Sequence, residues 1–225
     1  MKIGFISDVH ANLPALDAIL NDLQHMDKIV HAGDIVGYNA FPREVIECFQ
    51  KQNIDSIAGN HDRGISDSDD FDFPRPALEV INWTMGELTI ENKEFINRLP
   101  TELRLEIDGY TILVVHGSPY EPNEYIYPTD LTLELVEGLD ETIDVLILGH
   151  THYPIITKLN GVLLVNPGSV GQPRDGDWRT SYAVLDTHTG TVELRRQEYN
   201  VDKTIEKAKI ESFPQQIINS FRQSN

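Results

Sequence analysis

The stretch Ile29-Val30-His31-Ala32-Gly33-Asp34 decides the reading of this chain. Ile29-Val30 is a short apolar run, so Asp34 falls just past the end of a buried strand. A carboxylate there has two oxygens and can ligate two cations at once, one on each. Asp8, His10, Asn60, His116, His150 and His152 could complete two such cation sites. Each also falls at or just after a predicted strand end. The chain reads as a device for bringing those strand ends to one point.

Working outward, Lys2 to Ser7 reads as a buried strand, followed by Asp8-Val9-His10. In extended chain, residues two apart point the same way, so Asp8 and His10 are expected on one side. Asn12 and Pro14 open a helix to about His25, with Leu16, Ile19, Leu20 and Leu23 at helical spacing. Pro42 starts a second helix with Val45, Ile46 and Phe49 inward. Ile54 to Ala58 reads as a third strand, followed by Gly59-Asn60-His61-Asp62. Three strand–loop–helix units with reactive groups after the strands fit the rule that open α/β sheets bind ligands at strand carboxyl ends.

Residues 64–99 break this rhythm. Asp67-Ser68-Asp69-Asp70 reads as a solvated acidic loop, and Leu78 to Trp83 and Glu91 to Leu99 read as a helical insertion. That pair could roof the site or only pack on the sheet. Asp108-Gly109 and Asn160-Gly161, each between apolar-rich runs, are type I′ hairpin signals. Val145 to Leu148 is a buried strand delivering Gly149-His150-Thr151-His152. Tyr182 to Leu185 and Thr191 to Leu194 form a third hairpin. The second half is therefore expected to be mostly antiparallel. An α/β half beside a hairpin-rich half gives an α/β fold of two sheets packed face to face with helices outside. A helical tail covers about 201–222, with Ile205, Ala208 and Ile210 at helical spacing and a break at Ser212-Phe213-Pro214. It could cover the sheet or pair with a second copy in a homo-oligomer. The whole, 1–225, reads as a single domain.

The formal net charge is −18, with no dense run of Lys or Arg. That argues against binding duplex nucleic acid. It also means that a phosphate ester would be repelled unless bound cations reverse the local field. Cys48 is the only cysteine, so no intrachain disulfide is expected, which fits a reducing cytoplasm. Asp8 comes too early for a secretory signal, and no apolar run approaches the roughly 18–20 residues of a membrane span. His25 and His188 read as exposed or structural, and His31 as either a core residue or a neighbour of the site. The Asp, His and Asn donors suit two divalent transition ions, manganese first, with iron, nickel, cobalt or zinc as alternatives. Two such ions roughly 3.5–4 Å apart clamp a phosphoryl group and activate water.

Asp8-x-His10, Gly33-Asp34, Gly59-Asn60-His61-Asp62, Val115-His116-Gly117 and Gly149-His150-Thr151-His152 together resemble the five motifs of the calcineurin-like metallophosphoesterase superfamily. The resemblance spans about 1–185 and is nearest to the small bacterial and archaeal phosphodiesterase branch, whose pattern Asn166 to Arg174 also resembles. It implies a four-layer αββα sandwich. It implies Asp8, His10 and His152 on the first metal, Asn60, His116 and His150 on the second, and Asp34 between them. It implies attack by a metal-bridging hydroxide, with His61 as general acid toward the leaving group. The Asp-Arg-Gly of the family's Ser/Thr protein phosphatases is absent, since Ile35-Val36-Gly37-Tyr38-Asn39 follows Asp34. Asp62 is a candidate to support His61 instead. Arg63 and Arg174 could grip the substrate phosphate as bidentate forks or balance nearby acids. Asn12, Tyr38 and Asn39 could touch substrate. The expected activity is cleavage of small phosphodiesters, nucleotides among them. The rivals are a phosphomonoesterase of the same fold and a non-catalytic interaction module, and the presence of His61 with all seven ligands speaks against the latter.

Overall fold

Alternation along the first strand, Lys2–Ile6 (β1), sorts its side chains between two layers. Ile3 and Phe5 enter a core shared by two sheets, and Ile6 enters a core shared with helices. Gly4, on the helix side, leaves room for Leu23 and Met26, which a Cβ would meet at 3.0 and 3.3 Å.

The computed structural model describes residues 1–66 and 73–222. After β1 come α1 (Leu13–Leu23), β2 (Lys28–His31), α2 (Pro42–Gln52), β3 (Asp55–Ser56) and α3 (Asn60–Ser66). Then come α4 (Arg75–Glu87) and α5 (Ile90–Asn97). Then follow β4 (Glu102–Ile107), β5 (Tyr110–Val115), the single turn α6 (Glu134–Glu137), β6 (Val145–Ile147), β7 (Ile155–Leu159) and β8 (Val162–Asn166). The chain continues through β9 (Thr180–Asp186), β10 (Thr191–Gln197), α7 (Val201–Ile210) and α8 (Gln215–Ser220). The acidic stretch Asp67–Asp70 lies outside the described residues.

Two mixed sheets of five strands result, in the orders β10-β9-β1-β2-β3 and β4-β5-β6-β8-β7. Facing residues such as Phe5, Val30 and Ile57 from one sheet and Val114, Ile147 and Val165 from the other form the core between them. Each large apolar side chain buried there contributes about 1.5–3 kcal/mol. Helices α1, α2, α4 and α5 cover the outer face of the first sheet through Leu16, Ile46, Ile81 and Ile96. On the second sheet the outer layer is thin, with Ile126, Leu135 and Val136 over Leu146, Leu148 and Leu164. The fold is the αββα sandwich, with helices concentrated on one side.

Several expectations change. The second sheet is parallel at its centre, since β5, β6 and β8 run together and only the outer strands β4 and β7 are antiparallel. All three residues of β6 are buried, as a central parallel strand requires. The last hairpin, β9–β10, joins the first sheet, where β9 lies antiparallel to β1. The other two hairpins turn as expected, with positive φ at Asp108 and Gly109 (50° and 83°) and at Asn160 and Gly161 (45° and 92°).

The third strand is shorter than Ile54 to Ala58, because only Asp55 and Ser56 pair with β2. In the tail, Ala208, Phe213, Ile217, Ile218 and Phe221 pack against Ala40 and Val80. Ile210, expected inward, is 75% exposed, because within α7 it lies two residues past buried Ala208, about 200° around the helix and so on the opposite face. No helix among the described residues is long and apolar enough to cross a membrane.

Candidate metal centre

Asp8, Asp34, Asn60, His116, His150 and His152 follow the carboxyl ends of β1, β2, β3, β5 and β6, all at one rim of the two sheets. The backbone there is not extended. Asp8, His10 and Ala11 have φ of 53°, 48° and 54°, and Asp34, His150 and His152 have 64°, 66° and 62°. Asp8 and His10 therefore converge through a left-handed turn, not through strand alternation. Such conformations cost non-glycine residues about 1–2 kcal/mol each, and they persist only where neighbours enforce them. Here the loops after β1 and β2 are laced together: Asp8 N–H donates to Gly33 O, His10 N–H to Asp34 O and Ala11 N–H to Ile35 O, at 3.0, 2.9 and 2.7 Å. Gly59 lets Asp34 approach closely, since a Cβ on it would lie 2.1 Å from Asp34 Oδ1.

Three imidazoles are locked in one tautomer. His10 Nδ1 faces Val36 O at 3.0 Å, His116 Nδ1 faces Ala32 O at 2.7 Å, and His152 Nδ1 faces Gln172 O at 2.6 Å. A carbonyl only accepts, so each Nδ1 carries the proton and, in the neutral ring, each Nε2 presents a lone pair. The Nε2 atoms of His10 and His152 lie 3.0 Å apart. Two lone pairs at that distance repel unless a cation sits between them. Asp8 Oδ1 lies 3.2 Å from His152 Nε2 and 3.7 Å from His10 Nε2, buried and without a hydrogen-bond donor. Its Oδ2 is held by Ser7 Oγ at 2.6 Å and His150 N–H at 3.1 Å.

The other half is built on His116, whose Nε2 lies 3.0 Å from Asn60 Oδ1 and 3.3 Å from Asp34 Oδ2. His150 borders it, with its ring 4.9 Å from that of His116 and its Nε2 buried without a partner. Asp34 joins the halves differently from expectation. Its Oδ1 accepts the His61 N–H at 2.8 Å, and Oδ2 alone faces both His116 Nε2 and, at 3.7 Å, His10 Nε2. Among the described residues, Asp8–His10–His152 and Asp8–Asp34–His116 each bring ligand atoms within 4.8 Å of one another, as does His10–Asp34–His61. Unpartnered oxygens and facing lone pairs, all buried, fit a pair of divalent cations.

Burial pushes His150 down to about 3 and His61 down to about 4, and it holds His10 well below the usual imidazole range. His116 goes the other way. Burial opposes its charge, but the Asp34 and Asp8 carboxylates outweigh burial and push it up to about 9. Asp34 in turn stays well below the usual carboxylate range, against burial, because His116 and His61 face it.

The calcineurin-like phosphoesterase superfamily domain matches residues 1–190. The chain belongs to that superfamily. An uncharacterized protein of Methanocaldococcus jannaschii is 36% identical over 225 residues, covering 91% of this chain and 90% of its own length. A phosphodiesterase of the same organism is 29% identical over 175 residues, covering 75% of this chain and 83% of its own. The crystal structure of a metallophosphoesterase from Sphaerobacter thermophilus superposes with a TM-score of 0.85 at 33% identity, covering 100% of this chain and 99% of that one.

In this chain the rim opens into a cavity of about 400 Å³. Asp34, Asn60, His150 and His152 floor it, and Tyr38, His61, Phe73, Asn123, Tyr125 and Arg174 wall it. The His61 ring packs 4.7 Å from His10, 4.6 Å from Tyr38 and 4.9 Å from Phe73, and its Nδ1 is buried with no hydrogen-bond partner. The Asp62 carboxylate accepts four backbone N–H groups, from Asp34, Ile35, Val36 and Gly59, and so pins the loop that carries Asp34.

Arg174 reaches Tyr38 Oη and Gln172 Oε1, each at 3.3 Å, from the cavity wall. Arg63 is directed to Asn123 Oδ1 at 2.5 Å and does not line the cavity. Asn12 is fully buried outside the cavity. It caps α1 by accepting from Ala15 N–H and it donates to Gly171 O at 2.9 Å. Asn39, also buried, donates to His10 O at 2.8 Å. His31 is a core residue beside the site, with Nδ1 on Ser56 Oγ at 2.7 Å. Helices α4 and α5 pack on the sheet side and do not roof the cavity, while Phe73 and Pro74, just before α4, reach it.

Sequence reasoning missed Asn123, Tyr125 and Phe73. The available signal for the first two was Gly117, directly after His116. A Cβ there would meet Pro122 O at 2.5 Å, so only glycine lets the 121–125 segment fold back over the site.

Proposed function

We propose that this chain is a dinuclear metal-dependent phosphodiesterase acting on small phosphodiesters. The reading is carried by the two buried imidazole Nε2 atoms 3.0 Å apart beside an unpartnered carboxylate oxygen, with Asp34 Oδ2 facing both halves of the site. Asp8, His10 and His152 would hold one cation, Asn60, His116 and His150 the other, and Asp34 both. Manganese leads among the borderline ions that this donor set suits. When bound, the pair supplies Lewis acidity toward a phosphoryl oxygen and activates water as nucleophile.

The protein's own groups do the rest. Ala32 O, Val36 O and Gln172 O hold three imidazoles in the ligating tautomer. Arg174, at the wall, places a guanidinium fork toward a phosphate oxygen, with Tyr38 beside it. His61 stands over the site as the proton donor to the leaving oxygen. The negative charge of a phosphoester entering the cavity raises its proton affinity from the low value burial imposes. The rings of Tyr38, Phe73 and Tyr125 narrow the cavity around the reacting group.

Diester preference follows from the wall. Arg174 is the only cationic side chain lining the cavity among the described residues, and a dianionic monoester gains more from additional clamps than a diester does. The test is a side-by-side assay of chromogenic mono- and diesters with manganese-loaded protein and bound metal measured on the same sample. The diester should turn over faster, and His61→Ala should lower kcat by about 10²–10⁴. Asp34→Asn should abolish both turnover and the second equivalent of metal. Failure to hydrolyse any phosphate ester with both cations bound would overturn the reading. Faster monoester turnover would move it to the phosphomonoesterase.

A further inference from the structure

A second cavity, of about 260 Å³, adjoins the first and shares Tyr38, Pro74 and Arg174 with it. Its outer walls are Pro76 and Ala77 from α4, and Gln216, Ile217 and Ser220 from α8. Neither wall belongs to the three strand–loop–helix units, and α8 begins well past residue 190, where the superfamily match ends. The walls are nonetheless fixed. Trp83 and Phe213 pack edge to face at 4.8 Å, and Val80, Ile217, Ile218 and Phe221 share one apolar cluster.

Gln172 ties this cavity to the metal centre. Its Nε2 donates to Ser220 Oγ at 2.9 Å, its Oε1 accepts from Arg174, and its carbonyl orients His152. One residue thus touches the tail, the phosphate-facing guanidinium and a cation-ligating ring.

We propose that this second cavity is the subsite for the nucleobase of a small nucleotide-type phosphodiester whose phosphate occupies the first. The proposal rests on the phosphodiesterase reading. The chemistry of the walls selects the occupant. Proline rings, Ala77 and Ile217 offer flat apolar faces to a planar ring. The Gln216 amide, with no hydrogen-bond partner among the described residues, offers a donor and an acceptor to the ring's polar edge. An acyl chain has no polar edge to meet that amide. Arg174 stands at the threshold, 5.7 Å from the Tyr38 ring centroid, where it can meet phosphate on one side and ring on the other. The acidic chain, without a basic track, limits the ligand to nucleotide size.

The experiment compares two diesters with the same leaving group, thymidine 5′-(p-nitrophenyl) phosphate and methyl p-nitrophenyl phosphate, on manganese-loaded protein. Burial of a ring should raise kcat/KM for the nucleoside ester about tenfold or more. Ala77→Leu, which fills the cavity, and Gln216→Ala, which removes only an exposed amide, should each pull that ratio toward one. Thermal melts identify any variant that fails to fold, and Gln216→Ala keeps the test alive if Ala77→Leu does. A ratio near one in the unmodified protein, or a ratio that neither folded variant changes, overturns the subsite. If neither ester is hydrolysed, the phosphodiesterase reading falls separately. The subsite is then decided by calorimetric binding of adenosine 5′-monophosphate against ribose 5-phosphate. The base should tighten binding about tenfold in the unmodified protein and add nothing in the variants, and equal affinities for the two ligands overturn it.

Discussion

Cation binding by this protein should depend steeply on pH, through His116. In the cation-free chain His116 is pushed up to about 9, while His10, His61, His150 and His152 are all pushed down. At neutral pH the site therefore carries a proton on His116, shared with Asp34 at 3.3 Å. A cation approaching Nε2 must displace it. At pH 7 the displacement costs about 3 kcal/mol, from two pH units at 1.36 kcal/mol each, or about a hundredfold in affinity. Affinity for the second equivalent of manganese should then rise about tenfold per pH unit from 6.5 to about 9 and level off above.

Stability of the cation-free chain has the opposite sign. A folded-state value above the unfolded 6.5 stabilises fully below pH 6.5, and that stabilisation is lost as pH rises through about 9. The assay is calorimetric titration of manganese into chelator-stripped protein, in two buffers of different ionisation enthalpy. About one proton should be released with the second equivalent at pH 7, and only about a quarter of one at about pH 9.5. Equal release at both values, or none at pH 7, would refute the reasoning.

Two further outcomes follow from the packing around the site. Gly37→Ala places a methyl 2.5 Å from His61 Nδ1 at a position with φ 101°, so the ring must move. Turnover should fall at least about tenfold while metal analysis still finds two cations. Normal kcat would mean that the ring is free to shift. Asp62→Ala strips the acceptor from four buried N–H groups and should lower stability by about 2–4 kcal/mol in urea unfolding, with weaker cation binding. If stability holds and only the acid limb of the rate profile moves, Asp62 is the partner of His61 after all.

Much of the first sheet was legible because its signals are local. Leu16, Ile19 and Leu23 repeat at helical spacing, and Asn12-Leu13-Pro14 announces the helix start. Asp-Gly and Asn-Gly specify positive φ at two consecutive positions, so both hairpin turns were readable. Strand pairing partners have no such local mark. Nothing in Thr180–Asp186 states that it lies beside β1, and nothing in Val145–Ile147 separates a parallel neighbour from an antiparallel one. The convergence of the strand-end residues was visible, but its means was not. Periodicity assumes extended backbone, and Asp8, His10 and Asp34 adopt left-handed conformations held by long-range hydrogen bonds. Asn12 was read both as the start of a helix and as a substrate contact, and its burial with its bond from Ala15 N–H shows the first.

The place of β9 has a consequence for biogenesis. Ile3 pairs with Leu185, so during synthesis the first strand waits for almost the whole chain before its second neighbour arrives. Until then Ile3-Gly4-Phe5-Ile6 presents a bare apolar edge, the kind of template on which chains stick to one another. The segment that supplies Val170 N–H to Ser7 O and Gly171 N–H to Asp8 O arrives just as late. A nascent or prematurely terminated polypeptide therefore cannot organise the Asp8 turn. Aggregation, not partial activity, is the fate expected of chains that stop before residue 180.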